Sequence, residues 1–82
     1  MRRISISPQF QSDIRKIARS LALRILQGID HYARTDEGDV RRLEGESGVF
    51  RLRIGDWRVR FTLEEDGTVI LLSAKKRSEA YR

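Results

Sequence analysis

Four arginines alternate along the stretch "FRLRIGDWRVRF" at residues 50–61, and guanidinium groups in this pattern could bind phosphate. They are Arg51, Arg53, Arg58 and Arg60. A guanidinium group stays charged, and its planar fork donates two parallel hydrogen bonds to one phosphate or carboxylate. Residues two apart on a strand point to the same side of a sheet. The spacing therefore predicts a cationic surface on one side of a β-hairpin.

A tight turn decides which of these arginines face each other. Gly55-Asp56 has the composition of a two-residue hairpin turn between two strands of period two. A one-residue slip of the register would change every pair. The predicted facing pairs are Ile54 with Trp57, Arg53 with Arg58, and Arg51 with Arg60.

Facing arginines repel, and the sheet needs compensation for this. At 5 Å two unit charges repel by about 1 kcal/mol in water, and by several-fold more at lower dielectric. Like charges directly opposite each other destabilise a sheet. An anionic ligand is the simplest compensation, and ion pairs within the protein are the alternative. The acidic residues close enough in sequence for such pairs are Glu44, Glu46, Glu64 and Glu65.

Composition limits the class of protein. The chain has 82 residues, 17 Lys and Arg against 12 Asp and Glu, and a net charge of +5. We expect one globular domain over residues 1–82, with a basic surface suited to nucleic acid. Without cysteine and with one histidine, neither a metal nor another cofactor is expected. No run of apolar residues is long enough to span a bilayer, and the start of the sequence lacks the apolar core of a signal peptide. A soluble cytoplasmic protein without a membrane segment is therefore expected.

The N-terminal half predicts a strand followed by helices. "RRISIS" alternates as a short strand, and Ser7-Pro8 has the pattern of a helix N-cap with proline at the first helical position. A break near Ser20 would separate two helices, although one bent helix fits as well. Gly28 either weakens the second helix or marks close packing. The apolar stripes are Phe10, Ile14, Ile17 and Leu21 in the first helix, and Ile25, Ile29 and Tyr32 or Ala33 in the second.

The C-terminal half predicts strands. After the polar segment "TDEGDVRRLEGESG", in which Asp36, Glu37 and Asp39 are predicted to lie in a loop, period two appears at residues 49–54 and 57–63, and "VILLSA" follows as a covered strand. The predicted fold is α+β: an N-terminal strand, a two-helix hairpin, then a three-stranded antiparallel meander, with the helices packed on one face of the sheet.

The C-terminal half also carries a resemblance to a known family. "LEGESGVFRLRIGDWRVRFTLEEDGTVILLSAKKRSEAYR" resembles the RelE/ParE toxin superfamily of bacterial toxin–antitoxin systems. The hallmark L-x-G … (Y/F)-R-(L/I)-R-x-G-(D/x)-(Y/W)-R-(V/L) is nearly continuous from Leu43 to Val59, and a basic segment leads to E-x-Y at the end. The resemblance implies the same strand, helical hairpin and twisted sheet.

The superfamily contains different activities. RelE-type members are ribosome-dependent endoribonucleases that cleave mRNA by attack of the 2′-OH, whereas ParE-type members poison DNA gyrase and lack a nuclease site. The arginines together with Tyr81 favour the RelE type. The alternatives are a gyrase inhibitor, and a nucleic-acid-binding module or degenerate toxin without turnover.

The resemblance implies a set of site residues. Two arginines would clamp the scissile phosphate and its developing charge, while a C-terminal tyrosine would stack on a base or transfer a proton. Lys76 is the alternative to Arg77 as the late basic residue. The implied catalytic residues are Arg51, Arg53, Arg58, Arg77 and Tyr81, and the implied RNA-binding residues are Arg60, Lys75 and Lys76.

Proton removal is where the chain departs from the family pattern. RelE-type enzymes often carry lysine where this chain has Arg51 and Arg53, and arginine is always protonated in practice. The general base would then have to be Lys75, Lys76 or a group of the ribosome.

The resemblance also implies partners. They are a cognate antitoxin with acidic residues facing Arg51, Arg53 and Arg58, mRNA on the ribosome, and operator DNA reached through the toxin–antitoxin complex.

Overall fold

Eight elements follow one another in the computed structural model of the chain, which describes residues 1–80. They are β1 (Ile4–Ile6), α1 (Pro8–Arg15), α2 (Arg19–Thr35), β2 (Asp39–Arg42), β3 (Val49–Ile54), β4 (Trp57–Leu63), β5 (Val69–Lys76) and α3 (Arg77–Ala80).

Five of these elements form one sheet, in the order β1-β5-β4-β3-β2. β1 runs parallel to β5, and all other neighbours are antiparallel. The predicted α+β fold is confirmed, with β3, β4 and β5 as the predicted meander. The structure adds β2, which the prediction did not contain, and Asp39, which was predicted to lie in a loop, is its first residue. β2 lies at an edge, where charged residues are tolerated, and Val40 alone of its four residues packs against the core.

A bulge interrupts the pairing of β4 with β5. Arg60 lies opposite Ser73, whereas Phe61 lies opposite Leu71, so Leu72 is an extra residue in β5. The extra residue reverses the inside–outside alternation of β5. As a result Ser73 and Lys75 share a face with the arginines of β4, and Leu71 and Ala74 both face the core.

The helices begin and break for local reasons. The Ser7 hydroxyl accepts a hydrogen bond from the Phe10 N–H at 3.1 Å, which confirms the predicted N-cap, and it donates to the Leu72 carbonyl at 3.0 Å. The chain leaves helical geometry at residues 16–18, slightly before the predicted break, and forms two helices rather than one bent helix. Leu21 consequently belongs to α2 and is 37% exposed.

Both helices cover one face of the sheet. Gly28 lies where α2 meets β3, because a Cβ at this position would come within 2.7 Å of the Ile54 side chain. This is the close packing that the sequence left open. None of the helices within residues 1–80 is long and apolar enough to cross a membrane. The core consists of Phe10, Ile25, Ile29, Tyr32, Leu52, Val59, Phe61, Val69, Leu71 and Ala74.

Candidate nucleic-acid interface

The face of the sheet away from the helices carries two rows of polar side chains, which we call the basic face. Each row crosses four neighbouring strands from β2 to β5, because directly opposite residues in antiparallel strands share a face. The predicted pairs of Ile54 with Trp57, Arg53 with Arg58, and Arg51 with Arg60 are confirmed. One row is Arg41, Arg51, Arg60 and Ser73, and the other is Asp39, Arg53, Arg58 and Lys75.

Arg58 lies near the centre of this face and is only 4% exposed. Its Nη1 donates to the carbonyl oxygens of Gly55 and Trp57, both at 3.1 Å. These bonds tie the guanidinium group to the hairpin turn. The Arg58 Nε is buried and has no hydrogen-bond partner among the described residues.

Arg51 and Arg60 are partly neutralised by acidic neighbours. Arg51, whose side chain is 12% exposed, donates from Nη2 to Asp39 at 3.1 Å. Arg60 forms an ion pair with Glu46, one of the predicted acidic partners. By contrast, Arg53 is exposed, and its Nε lies 3.5 Å from the Gly55 carbonyl oxygen, a long contact for a hydrogen bond. Acidic neighbours therefore compensate two of the four arginines and leave the other two without a carboxylate among the described residues.

Three buried polar atoms within the described part of the chain lack a hydrogen-bond partner, and all three belong to the basic face. They are Nε of Arg51, Nε of Arg58 and Oγ of Ser73. A buried polar group without a partner costs free energy, so most such groups in folded proteins are satisfied by protein, water or ligand. The three atoms lie on the neighbouring strands β3, β4 and β5, on the face that carries the four arginines.

The late basic residues are placed differently from one another. Lys75 lies directly opposite Arg58, in the second row of the basic face. Lys76 pairs with Trp57 instead, with its ammonium group 6.0 Å from the indole ring centre. Arg77 is the exposed first residue of α3, and its N–H donates to the Asp56 carbonyl at 2.7 Å. Tyr81 lies outside the described residues.

Two members of the rows come from β2 and were missed by the sequence prediction. Asp39 and Arg41 flank Val40, and this single apolar residue is too weak a signal to reveal the strand. Ser73 was missed because the bulge in β5 is not visible in the sequence.

A buried carboxylate supports Lys75 from the edge of the sheet. Asp13 on α1 is 3% exposed and accepts three hydrogen bonds, from Gln9, from the Ala74 N–H and from the Lys75 ammonium. Burial raises the pKa of Asp13, but the bonds from Lys75, Ala74 and Gln9 outweigh this and hold the pKa below its ordinary value.

Because the folded protein favours the ionised Asp13, this carboxylate stabilises the fold at pH values above about 4, the ordinary carboxyl pKa. The stabilisation is lost as the pH falls through the lower pKa that Asp13 has in the folded protein. We expect Asp13→Asn to lower the free energy of unfolding at pH 7, and the deficit to shrink at pH 3. Urea unfolding of both proteins at the two pH values measures this. A deficit that grows on acidification would contradict the assignment.

Comparison with known proteins places the chain in a family. The sequence model described as ParE toxin of type II toxin-antitoxin system, parDE, matches residues 4–81. The chain belongs to the ParE toxin family. This confirms the resemblance to the RelE/ParE superfamily found from the motif at residues 43–59.

Solved structures similar to this ParE-family chain include RelE toxins. The RelE–RelB complex from Pyrococcus horikoshii OT3 is 25% identical with a TM-score of 0.76, and the alignment covers 95% of this chain and 97% of that one. The RelB–RelE antitoxin–toxin complex from Methanococcus jannaschii is 18% identical, with a TM-score of 0.76 and coverage of 94% of each chain. The isolated E. coli RelE toxin is 14% identical, with a TM-score of 0.76 and coverage of 99% and 92%. No curated protein sequence matches the chain significantly.

Proposed function

We propose that this toxin is a ribosome-dependent endoribonuclease that cleaves mRNA in the cytoplasm. The observation that carries the proposal is the basic face, which places four arginines and Lys75 on three neighbouring strands and leaves Arg53 and Arg58 without a carboxylate partner among the described residues. RNA offers a phosphate at every nucleotide, and phosphate oxygens accept the bidentate, charge-assisted bonds that arginine donates. The similar fold of RelE toxins supports the same conclusion.

The chemistry requires little of the protein beyond positioning and charge. The 2′-oxygen of one nucleotide attacks the adjacent phosphorus and loses its proton, while the bond from phosphorus to the 5′-oxygen breaks and that oxygen gains a proton. Negative charge develops on the phosphate oxygens during attack. Arg58, held by the turn carbonyls, would stabilise this charge without reorganising. Arg53, which is exposed, would hold the substrate backbone.

The other roles follow the family pattern and remain part of the proposal. Tyr81 would stack on a base or donate the proton to the leaving 5′-oxygen. Arg77 begins α3 directly after β5, and would contact the backbone of the substrate beyond the two rows. Because arginine is a poor base at neutral pH, proton removal from the 2′-OH would fall to a lysine or to a group of the ribosome.

We also propose a cognate antitoxin as the partner of this toxin. The RelE chains from Methanococcus jannaschii and Pyrococcus horikoshii OT3 are found in complexes with RelB. An antitoxin segment with acidic residues facing Arg51, Arg53 and Arg58 would neutralise the basic face. Binding of operator DNA by the toxin–antitoxin complex is the corresponding regulatory proposal.

Inhibition of DNA gyrase is the second candidate, and the match to the ParE toxin family favours it. A gyrase inhibitor acts by binding a protein and needs no phosphate-binding site. Its surface would still tolerate arginines that are paired within the protein, as Arg60 is with Glu46.

Primer extension on a defined mRNA in a reconstituted translation system separates these functions. We expect new cuts with the wild-type toxin that require ribosomes and that weaken with Tyr81→Phe. A plasmid-supercoiling assay with purified gyrase runs in parallel. Intact mRNA together with inhibited gyrase would replace the nuclease by the second candidate.

A further inference from the structure

The free edge of β5 is closed by a side chain rather than by a strand. β1 pairs with β5 only as far as Leu71, yet β5 continues to Lys76. The Ala74 N–H beyond this point bonds to Oδ2 of Asp13 at 2.9 Å, so α1 supplies the acceptor that a longer β1 would have supplied. Asp13 is therefore fixed to the backbone of the strand that carries Lys75.

The other oxygen of Asp13 reaches the basic face. Oδ1 accepts from the Lys75 ammonium at 2.8 Å and from Gln9 Nε2 at 2.8 Å. With three donors and almost no exposure, this carboxylate has one orientation open to it. The orientation of Asp13 in turn fixes the ammonium group of Lys75.

Lys75 is directly opposite the buried Arg58, and two cations in this position repel each other. The Asp13 carboxylate, 2.8 Å from the Lys75 ammonium, offsets this repulsion. An ammonium group has three donors, and the Lys75 side chain is 39% exposed, so the bond to Asp13 leaves donors for a ligand.

We propose that Asp13 is a positioning residue, which holds Lys75 beside Arg58 so that the two cations bind one RNA phosphate between them. This inference rests on the proposed nuclease function and adds to it a residue on α1, outside the arginine motif. Asp13 touches no substrate in this arrangement, and it acts through Lys75 alone.

The test is a double-mutant cycle with two readouts. Asp13→Asn keeps a carbonyl oxygen for the Ala74 N–H but loses the negative charge, and Lys75→Gln removes the cation. Each single variant should lower single-turnover cleavage of ribosome-bound mRNA by about 10- to 100-fold, because a misplaced binding group costs this much. The double variant should be no slower than Lys75→Gln, since Asp13 acts through Lys75. Binding of the toxin to ribosomes should change by less than about twofold, so that the loss lies in the rate of cleavage.

The second readout does not depend on cleavage. The chain has three lysines, Lys16, Lys75 and Lys76, so acylation at each one can be followed by mass spectrometry. In the Asp13→Asn variant the acylation rate of Lys75 should rise relative to the acylation rates of Lys16 and Lys76. Asp30→Asn is the matched control, because it also breaks an ion pair, with Arg34 on α2, and should leave both readouts unchanged.

The possible failures are distinguishable. If Lys75→Gln cleaves like the wild type, or if Asp13→Asn slows the Lys75→Gln variant as much as it slows the wild type, the inference is overturned and the nuclease proposal stands. If the wild-type toxin does not cleave, the nuclease proposal itself fails and the phosphate-binding role of the pair fails with it. Thermal unfolding of every variant identifies a loss of fold. Among the folded variants, Lys75→Arg keeps the positive charge and should retain more cleavage than Lys75→Gln.

Discussion

Arg58→Ala should lower ribosome-dependent cleavage by roughly 10²–10³-fold, the usual cost of removing one preorganised donor from a site of developing negative charge. Arg58 has the two properties that this magnitude requires. The guanidinium group is buried, where a charge interacts more strongly than in water, and it is held in place by two bonds to the turn. The Arg58 side chain lies on the same face of the sheet as the side chains of Arg51 and Ser73. Rates from single-turnover primer extension measure the effect.

Two further variants separate the role of Arg58 from a general effect of charge. Arg53→Ala removes the same charge from an exposed neighbour in the same row, and should cost about tenfold or less because the charge is screened by solvent. Arg58→Lys keeps the charge but loses the planar fork, so it should behave more like alanine than like arginine. Equal losses for Arg53→Ala and Arg58→Ala, with both proteins folded, would show that net charge alone matters.

The hairpin at the centre of the site could be predicted because its signals are local. The Gly55-Asp56 turn fixes the register, and period two in the flanking strands fixes the faces. Both predictions hold in the structure, down to the individual facing pairs. The direction of each arginine side chain could not be predicted, since the burial of Arg58 and the pairing of Arg51 with Asp39 depend on contacts between elements.

The position of Lys75 on the basic face could not be predicted from local signals. A regular β5 would put Ser73 and Lys75 on the same face as Leu71, which is the core face. The bulge at Leu72 moves both to the basic face, and nothing in the run "VILLSAKK" indicates it. Long-range packing decides where the bulge lies, because Leu71 and Ala74 both face the core.

Asp13 and β2 were missed for different reasons. A lone aspartate in an amphipathic helix looks like a surface residue, and only the short length of β1 creates an unpaired N–H for it to accept. β2 consists of four residues of which three are charged, so its apolar signal is too weak to count as a strand. An edge strand needs only one covered face and one neighbour, and β3 supplies the neighbour.

Phe61 is one of the largest fully buried side chains of the core, and its removal should have the largest effect on stability. The ring is fully buried between two other aromatic rings, with centroids 5.4 Å from Tyr32 and 5.5 Å from Phe50. Phe61→Ala removes the transfer free energy of the ring and leaves a cavity, which together cost about 3–5 kcal/mol. A chain of 82 residues has a total stability of about 4–12 kcal/mol at 0.05–0.15 kcal/mol per residue.

Phe61→Ala should therefore remove between about a quarter and all of the stability, and where the variant still folds its thermal midpoint should fall by about 12–40 °C. Phe50→Ala is the matched control, because this ring stacks on Phe61 but is only partly buried and has the Arg42 guanidinium over it. Its loss should cost about half as much, since less area returns to water. Thermal and urea unfolding of the wild type, Phe61→Ala and Phe50→Ala measure which substitution lowers the stability more. A smaller loss for Phe61→Ala than for Phe50→Ala would mean that Phe61 contributes less to the core than its burial indicates.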